Sequence, residues 1–140
     1  MSKSGIVLLI LILSLLLTGC GIQDKNTIIK IYKENERLFV EAAKTKDFKK
    51  LKVVSGVKKI YESNNSVSID FGGNGIGGNS NYYEIQYHYD ECCNEFKLND
   101  NFKKYDNGFL YNEKEYDKGG DNIFYVEDLG NGYYYVEMHF

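Results

Sequence analysis

Apolar residues recur at steps of three and four along residues 27–45, and polar residues fill most positions between them. The positions in this stripe are Ile28, Ile31, Tyr32, Asn35, Leu38, Phe39 and Ala42. Because this spacing matches the 3.6-residue turn, it predicts one amphipathic α-helix that ends near Thr45. Asp24 or Asn26 is suited to cap its start, since a short polar side chain accepts hydrogen bonds from the first free N–H groups.

Beyond the helix the apolar pattern shortens to every second residue, which is typical of β-strands. The predicted strands cover residues 57–61, 67–71 and 82–89, with a brief apolar run at 109–111. Residues 90–107 are polar and give no clear assignment, apart from a weak helical pattern over residues 96–102.

The last 18 positions of the chain have the pattern of a β-hairpin. Residues 123–129 and 133–140 flank Gly130-Asn131-Gly132, which is a strong turn signal. A three-residue loop would place Phe124 opposite Met138 and Val126 opposite Val136. This register keeps one face apolar, so we expect that face to point into the core.

One amphipathic helix followed by antiparallel strands predicts an α+β fold. We expect an N-terminal helix packed on one face of an antiparallel sheet of about five or six strands. The order of a helix followed by a run of strands is similar to that of cystatin-like domains.

The apolar run at residues 6–17 follows a positive charge at Lys3 and is followed by small residues. It is well short of the ~20 residues that a helix needs to cross a bilayer, and its parts are those of a secretory signal. The run closes on Leu17-Thr18-Gly19-Cys20, which resembles the lipobox of bacterial lipoproteins at every position. The alternatives are an ordinary secretory signal and an uncleaved span, with Cys20 unrelated to either.

The lipobox resemblance implies that Cys20 receives a diacylglyceryl thioether and that a peptidase cuts between Gly19 and Cys20. Two acyl chains on one cysteine make attachment effectively permanent, since each buried methylene contributes ~0.8 kcal/mol. We therefore divide the chain into a signal peptide (1–19), a lipidated tether (20–26) and a single extracytoplasmic domain (27–140). The expected location is the cell membrane, lipid-anchored on its extracytoplasmic face.

The composition of the chain bears on two questions: whether it binds nucleic acid, and which kind of organism it comes from. The formal net charge of −3 gives no electrostatic footprint for nucleic acid. The chain has 13 tyrosines, no proline and no tryptophan, and it is rich in asparagine and lysine. These residues have AT-rich codons, so the composition points to a low-GC Gram-positive bacterium.

A second resemblance covers residues 56–140, which are similar to a group of small, uncharacterised exported proteins of low-GC Gram-positive bacteria. The residues that carry it are Phe71-Gly72-Gly73-Asn74-Gly75, Tyr82-Tyr83, Asp121-Asn122, Tyr133-Tyr134-Tyr135 and Phe140. The resemblance implies the fold and leaves the activity open. Cys92-Cys93 departs from the group at that point.

Two candidate ligand sites have simpler structural explanations. Residues 73–78 match G-x-G-x-x-G, but they lead into a strand and not into the helix that a dinucleotide site requires. His88, Asp90, Cys92 and Cys93 could bind zinc if His139 completed the set, but their spacing matches no established zinc pattern. We predict neither a metal nor another cofactor.

No established catalytic motif is present, and we predict no catalytic residue. Glu84, Glu127 and Glu137 could face one another across a sheet as a carboxylate pair, although exposed carboxylates are common on strands. The leading hypothesis is a non-catalytic binding or accessory module of the cell envelope. The alternative is a small cell-envelope hydrolase that uses Glu and His residues.

The candidate partner-binding residues lie on the face of the hairpin opposite the predicted core. They are Tyr125, Tyr133, Tyr135, Glu137 and His139. Tyrosines on a rigid sheet are enriched in interfaces, so this face could bind an envelope protein or a glycan. The second possibility is that the rings pack beneath the helix or a loop.

Overall fold

The computed structural model describes residues 24–74, 80–89, 100–111 and 122–140. They form an α+β fold in which short helices come first and a seven-stranded antiparallel sheet follows. The apolar run and Cys20 lie outside the described residues, as do the centre of the glycine-rich loop and Cys92-Cys93. No helix within the described ranges is long and apolar enough to cross a membrane.

The helical segment consists of α1 (Lys25–Glu34), α2 (Glu36–Thr45) and a 3-10 helix (Phe48–Val53). The carboxylate of Asp24 accepts a hydrogen bond from the backbone N–H of Thr27 at 2.8 Å, which confirms one of the two predicted caps. This backbone hydrogen bond is the largest of the effects that lower the pKa of the Asp24 carboxyl group.

A break at Asn35 separates α1 from α2, so the prediction of a single helix is wrong. The Asn35 side-chain amide donates to the carbonyl of Ile31 at 2.9 Å, and its backbone φ of −113° is not helical. Asparagine is unfavourable in the interior of a helix, because its side chain competes with the backbone for such local hydrogen bonds. The first helix of the described residues begins at Lys25, which is not the amino terminus of the chain, and this corrects the prediction of an N-terminal helix.

The seven strands form one sheet in the order β1-β2-β3-β7-β6-β5-β4, and all neighbouring pairs are antiparallel. Their bounds are Lys59–Glu62 (β1), Ser66–Asn74 (β2), Asn81–His88 (β3), Phe102–Tyr105 (β4), Gly108–Tyr111 (β5), Ile123–Gly130 (β6) and Tyr133–His139 (β7). The two central strands, β3 and β7, therefore join a three-stranded and a four-stranded meander.

The sheet has seven strands where the sequence pattern predicts five or six. The additional strand is β4, which lies in the polar stretch that gave no clear assignment. Its sequence, Phe-Lys-Lys-Tyr, lacks an alternating apolar face, and among the described strands β4 is an edge strand that pairs only with β5. Charged residues, lysine especially, are common on edge strands because they discourage pairing with other chains.

The hairpin of β6 and β7 has the predicted register, with Phe124 opposite Met138 and Val126 opposite Val136. The predicted core face of this hairpin is wrong. The helices pack against the other face, where Tyr133 and Tyr135 are fully buried. We call this the helix-side face, and we call the face that carries Val136 and Met138 the outer face.

Aromatic rings fill the contact between the helices and the sheet. Tyr133 lies 5.2 Å from Phe39 of α2 and 4.9 Å from Tyr87 of β3, measured between ring centroids. Phe48 of the 3-10 helix lies 5.3 Å from Tyr87. Such ring pairs contribute about 0.5–1.5 kcal/mol beyond the area that they bury, so tyrosine is a principal core residue here.

Candidate functional site

The structure places the predicted tyrosine face beneath the helices, which is the second of the two possibilities considered. Tyr125, Tyr133 and Tyr135 are at most 1% exposed, and Glu137 is 6% exposed. His139 is half-buried on the same face. These five residues therefore share one face as predicted, but the three rings do not form an exposed contact surface.

Two tyrosines and two glutamates alternate on the helix-side face of β6 and β7. Tyr125 lies opposite Glu137, and Glu127 lies opposite Tyr135. We call these four residues the Tyr–Glu cluster. Because residues two apart on a strand share a face, each tyrosine has one glutamate beside it on its own strand and another across the ladder.

Each glutamate in the cluster accepts a hydrogen bond from the tyrosine on its own strand. The Tyr125 hydroxyl donates to Glu127 Oε2 at 2.7 Å, and the Tyr135 hydroxyl donates to Glu137 Oε2 at 2.9 Å. Both glutamates are at most 9% exposed. Hydrogen bonds to a carboxylate are stronger than neutral ones, and here they offset part of the cost of burial.

Glu137 has a second partner in His139. The Nε2 atom of His139 lies 2.6 Å from Glu137 Oε1, so both carboxylate oxygens are engaged. Tyr83 of β3 lies opposite Glu137. Burial raises the pKa of the Tyr83 hydroxyl group, and the nearby charge of Glu137 raises it further.

The predicted carboxylate pair forms in part. Glu127 and Glu137 lie on neighbouring strands of the helix-side face, whereas Glu84 lies on the outer face, opposite Val136 of β7 and Asp70 of β2. Side chains two positions apart on a strand share a face, so Glu84 lies on the same face as Tyr82 and on the opposite face from Tyr83.

A cleft of about 480 Å³ opens beside Glu127, between α1 and the turn that joins β4 to β5. Its lining comprises Lys25, Asn26, Ile29, Lys30, Lys33, Glu34, Asp106, Asn107 and Glu127. The sequence pattern does not predict this cleft. Its walls come from segments about 80 and 100 positions apart, and the hydrophobic period of a single helix or strand does not show which distant segments are in contact.

Lys25 joins the start of α1 to the far edge of the sheet. Its Nζ atom lies 2.5 Å from Asp106 Oδ2 and 4.7 Å from the centroid of the Tyr125 ring. The hydrogen bond from Lys25 is the main cause that lowers the pKa of the Asp106 carboxyl group. The lysine side chain is only 19% exposed, so it forms a fixed wall of the cleft.

The outer face carries a second row of polar side chains along β3. The Gln86 side-chain amide donates to Glu84 Oε2 at 3.0 Å, and Gln86 Oε1 lies 3.1 Å from His88 Nε2. Burial lowers the pKa of the His88 imidazole. At the other end of this row, Tyr82 packs edge-on against Phe140 with ring centroids 6.0 Å apart.

The candidate zinc ligands are not brought together by the described part of the chain. His88 lies on the outer face and His139 on the helix-side face, so His139 cannot complete a set with His88. Asp90, Cys92 and Cys93 lie outside the described residues. Within the described ranges no group of three or more His, Cys, Asp or Glu side chains is arranged to hold a metal ion.

Comparison with known proteins gives no match: no family model, no curated protein and no solved structure is significantly similar to this chain.

Proposed function

We propose that the chain is a bacterial lipoprotein, held on the extracytoplasmic face of the cell membrane by lipid on Cys20. The support for this proposal is the sequence Leu17-Thr18-Gly19-Cys20 after an apolar run too short to span a bilayer. Asp24 caps the first described helix only four positions after Cys20. Four extended residues reach ~14 Å at most, so the domain would lie close to the headgroups.

The domain acts as a non-catalytic module that binds an envelope protein or a glycan through the end of its outer face that carries Tyr82 and Phe140. One observation carries this assignment: Tyr82 is 44% exposed and Phe140 is 51% exposed, and the two rings pack against each other. Glu84, Gln86 and His88 continue the same face with polar groups. Aromatic anchors beside hydrogen-bonding groups are the composition that interfaces favour.

The finer fold assignment belongs to this proposal as well. Helices that precede the strands and cover one face of an antiparallel sheet suit a cystatin-like arrangement. The expected resemblance of residues 56–140 to small exported proteins of low-GC Gram-positive bacteria would agree with the same envelope location.

Lipidation is tested with the Cys20→Ala variant of the full chain, expressed in a low-GC Gram-positive host. We expect the variant to be released into the medium or to accumulate as uncleaved precursor, while the wild type partitions into detergent. A Cys20→Ala protein of mature size that still fractionates with membranes would contradict the lipoprotein assignment.

Partner binding is tested by capture from a solubilised envelope fraction, with the Tyr82→Ser/Phe140→Ser double variant compared with the wild type. We expect the double variant to fold and to lose the captured component. Val53→Ser is the control, because Val53 is 81% exposed but lies on the 3-10 helix and away from the outer face. Undiminished capture by the double variant would rule out this face.

A second function, a small cell-envelope hydrolase, is favoured by one observation. Glu127 lines the cleft, and Glu137 on the next strand is in contact with His139. Glu127 would act there as a general acid or base. Release of soluble fragments from purified cell walls by the wild type, and its loss in Glu127→Gln, would favour this function over the binding module.

A further inference from the structure

We propose that the cleft beside Glu127 binds a small ligand that carries both an ammonium group and a carboxylate, such as an amino acid or a short peptide. The cleft volume of about 480 Å³ lies within the range of small-molecule sites. This inference does not depend on the outer face, because the cleft lies on the helix side of the sheet.

Glu127 supplies the recognition of the ammonium group. Glu127 is only 9% exposed, yet it forms part of the cleft wall. Among the described residues its carboxylate accepts one hydrogen bond, from the Tyr125 hydroxyl to Oε2. An ionised carboxylate can accept about four hydrogen bonds, and buried polar groups are normally satisfied. Glu127 therefore retains acceptor capacity that three N–H donors of an ammonium group would use.

Lys25 does not neutralise Glu127 directly. Its ammonium group is paired with Asp106 and packed over the Tyr125 ring. The Tyr125 ring also places its hydroxyl group on Glu127, so Lys25, Tyr125 and Glu127 are held in a fixed arrangement. A preformed wall of this kind lowers the entropy cost of binding a small ligand.

The charges that line the cleft are balanced in sign. Three lysines (Lys25, Lys30 and Lys33) face three carboxylates (Glu34, Asp106 and Glu127). A zwitterion matches such a lining better than a dianion or a dication, because a ligand with a single sign of charge would meet repulsion from half of it.

Lys30 and Lys33 are the candidate partners of the ligand carboxylate. Lys30 lies 3.7 Å from Glu34, but the two side chains are 74% and 60% exposed. Exposed pairs of this kind contribute little to stability, so Lys30 can exchange Glu34 for a ligand at little cost. Lys33 lies in the last turn of α1 and on the same cleft wall.

The test is a calorimetric titration of the full chain, purified in detergent, with the dipeptide alanyl-alanine. We expect saturable binding, and we expect both N-acetyl-alanyl-alanine and alanyl-alanine amide to bind at least about tenfold more weakly, which is ~1.4 kcal/mol. Free alanine also carries an ammonium group and a carboxylate. A parallel titration with alanine therefore shows whether the cleft binds an amino acid or a peptide.

The variant Glu127→Gln should weaken alanyl-alanine binding at least about tenfold, or ~1.4 kcal/mol. The matched control is Glu62→Gln, because Glu62 is exposed on the edge strand β1. If Glu127→Gln does not fold, the variant Lys33→Gln is tested in its place. It should weaken the binding of alanyl-alanine but not the binding of alanyl-alanine amide, which has no carboxylate for Lys33 to bind. The double variant at Tyr82 and Phe140 should bind the dipeptide like the wild type, which separates this site from the outer face.

Two results would overturn the proposal. One is the absence of binding of both alanine and alanyl-alanine up to concentrations of about 10 mM, where even a weak site would be populated. The other is equal binding of the N-acetylated dipeptide, since that ligand has no ammonium group to offer Glu127.

Discussion

The hydroxyl group of Tyr133 donates a hydrogen bond to the backbone carbonyl oxygen of Phe39 at 2.7 Å, across 94 positions of sequence. Both residues are fully buried. A buried hydroxyl group without a partner would be costly, so this bond makes tyrosine acceptable at the centre of the core. It also fixes α2 on β7 and so explains why the tyrosine side of the hairpin faces inward.

Replacement of Tyr133 by phenylalanine tests this bond. Tyr133→Phe keeps the ring but removes the donor, so we expect the free energy of unfolding to fall by about 1 kcal/mol. Urea denaturation of the purified chain measures the change. Tyr61→Phe is the control, because Tyr61 is 54% exposed on an edge strand and should change stability by less than about 0.5 kcal/mol. Equal effects of the two changes would mean that the bond to Phe39 contributes nothing.

The same tyrosine predicts a loss of stability in alkali. Burial is the main cause that raises the pKa of the Tyr133 hydroxyl group, so the folded state holds this proton to a higher pH than the unfolded state does. The contribution of this protonated hydroxyl group to the free energy of unfolding is complete below the unfolded pKa of ~10, and it is lost as the pH rises above that value. Tyr133→Phe should therefore show a weaker decline in melting temperature between pH 9 and pH 11. A decline as steep as that of the wild type would assign alkaline unfolding to other buried tyrosines, such as Tyr32.

Truncation of one side chain on each face tests which face forms the main core. Ile85 is fully buried on the helix-side face, so Ile85→Ala should cost about 2–5 kcal/mol. Met138 is half-buried on the outer face, and Met138→Ala should cost less than the lower end of that range. Chemical denaturation of both variants gives the comparison. A larger loss from Met138→Ala would reverse the assignment of the two faces.

The hairpin register was predictable from sequence, whereas its orientation was not. Gly130-Asn131-Gly132 and the alternation around it determine that Val126 meets Val136. Both faces of the hairpin are rich in large side chains, and Val136 and Tyr135 are each at most 1% exposed. Counting apolar residues favours the valine side. Only the position of α2, which provides the Phe39 carbonyl, selects the tyrosine side.

The candidate site was predictable only where it lies within one hairpin. Glu127 and Glu137 share a face because both obey the two-residue period of neighbouring strands. The Lys25–Asp106 contact joins positions 81 apart, and a single sequence contains no signal for it. The break at Asn35 was missed for another reason, since one asparagine within an otherwise regular stripe does not change the helical period.

Gly108 is predicted to be required by the packing of Tyr125. A Cβ atom at Gly108 would lie 2.2 Å from the carbonyl oxygen of Val126 and 2.7 Å from the Tyr125 hydroxyl oxygen. The carbonyl belongs to the neighbouring strand and cannot move without breaking the ladder, so Gly108→Ala should cost about 1–3 kcal/mol or more. Thermal and urea denaturation measure the loss.

Gly130→Ala is the matched control for this change. A Cβ atom at Gly130 has no neighbour within 4 Å, but its φ of +86° is unfavourable for alanine. That variant therefore reports the conformational cost alone, about 1–2 kcal/mol. Gly108→Ala should exceed it, and Tyr125→Phe in the Gly108→Ala background should recover little of the loss, because the clashes with the Val126 carbonyl oxygen and with the Cζ atom of the ring at position 125 remain. If Gly108→Ala is no more destabilising than Gly130→Ala, β5 can shift away from β6, and the close packing of Gly108 against Tyr125 is not needed to hold the Tyr–Glu cluster.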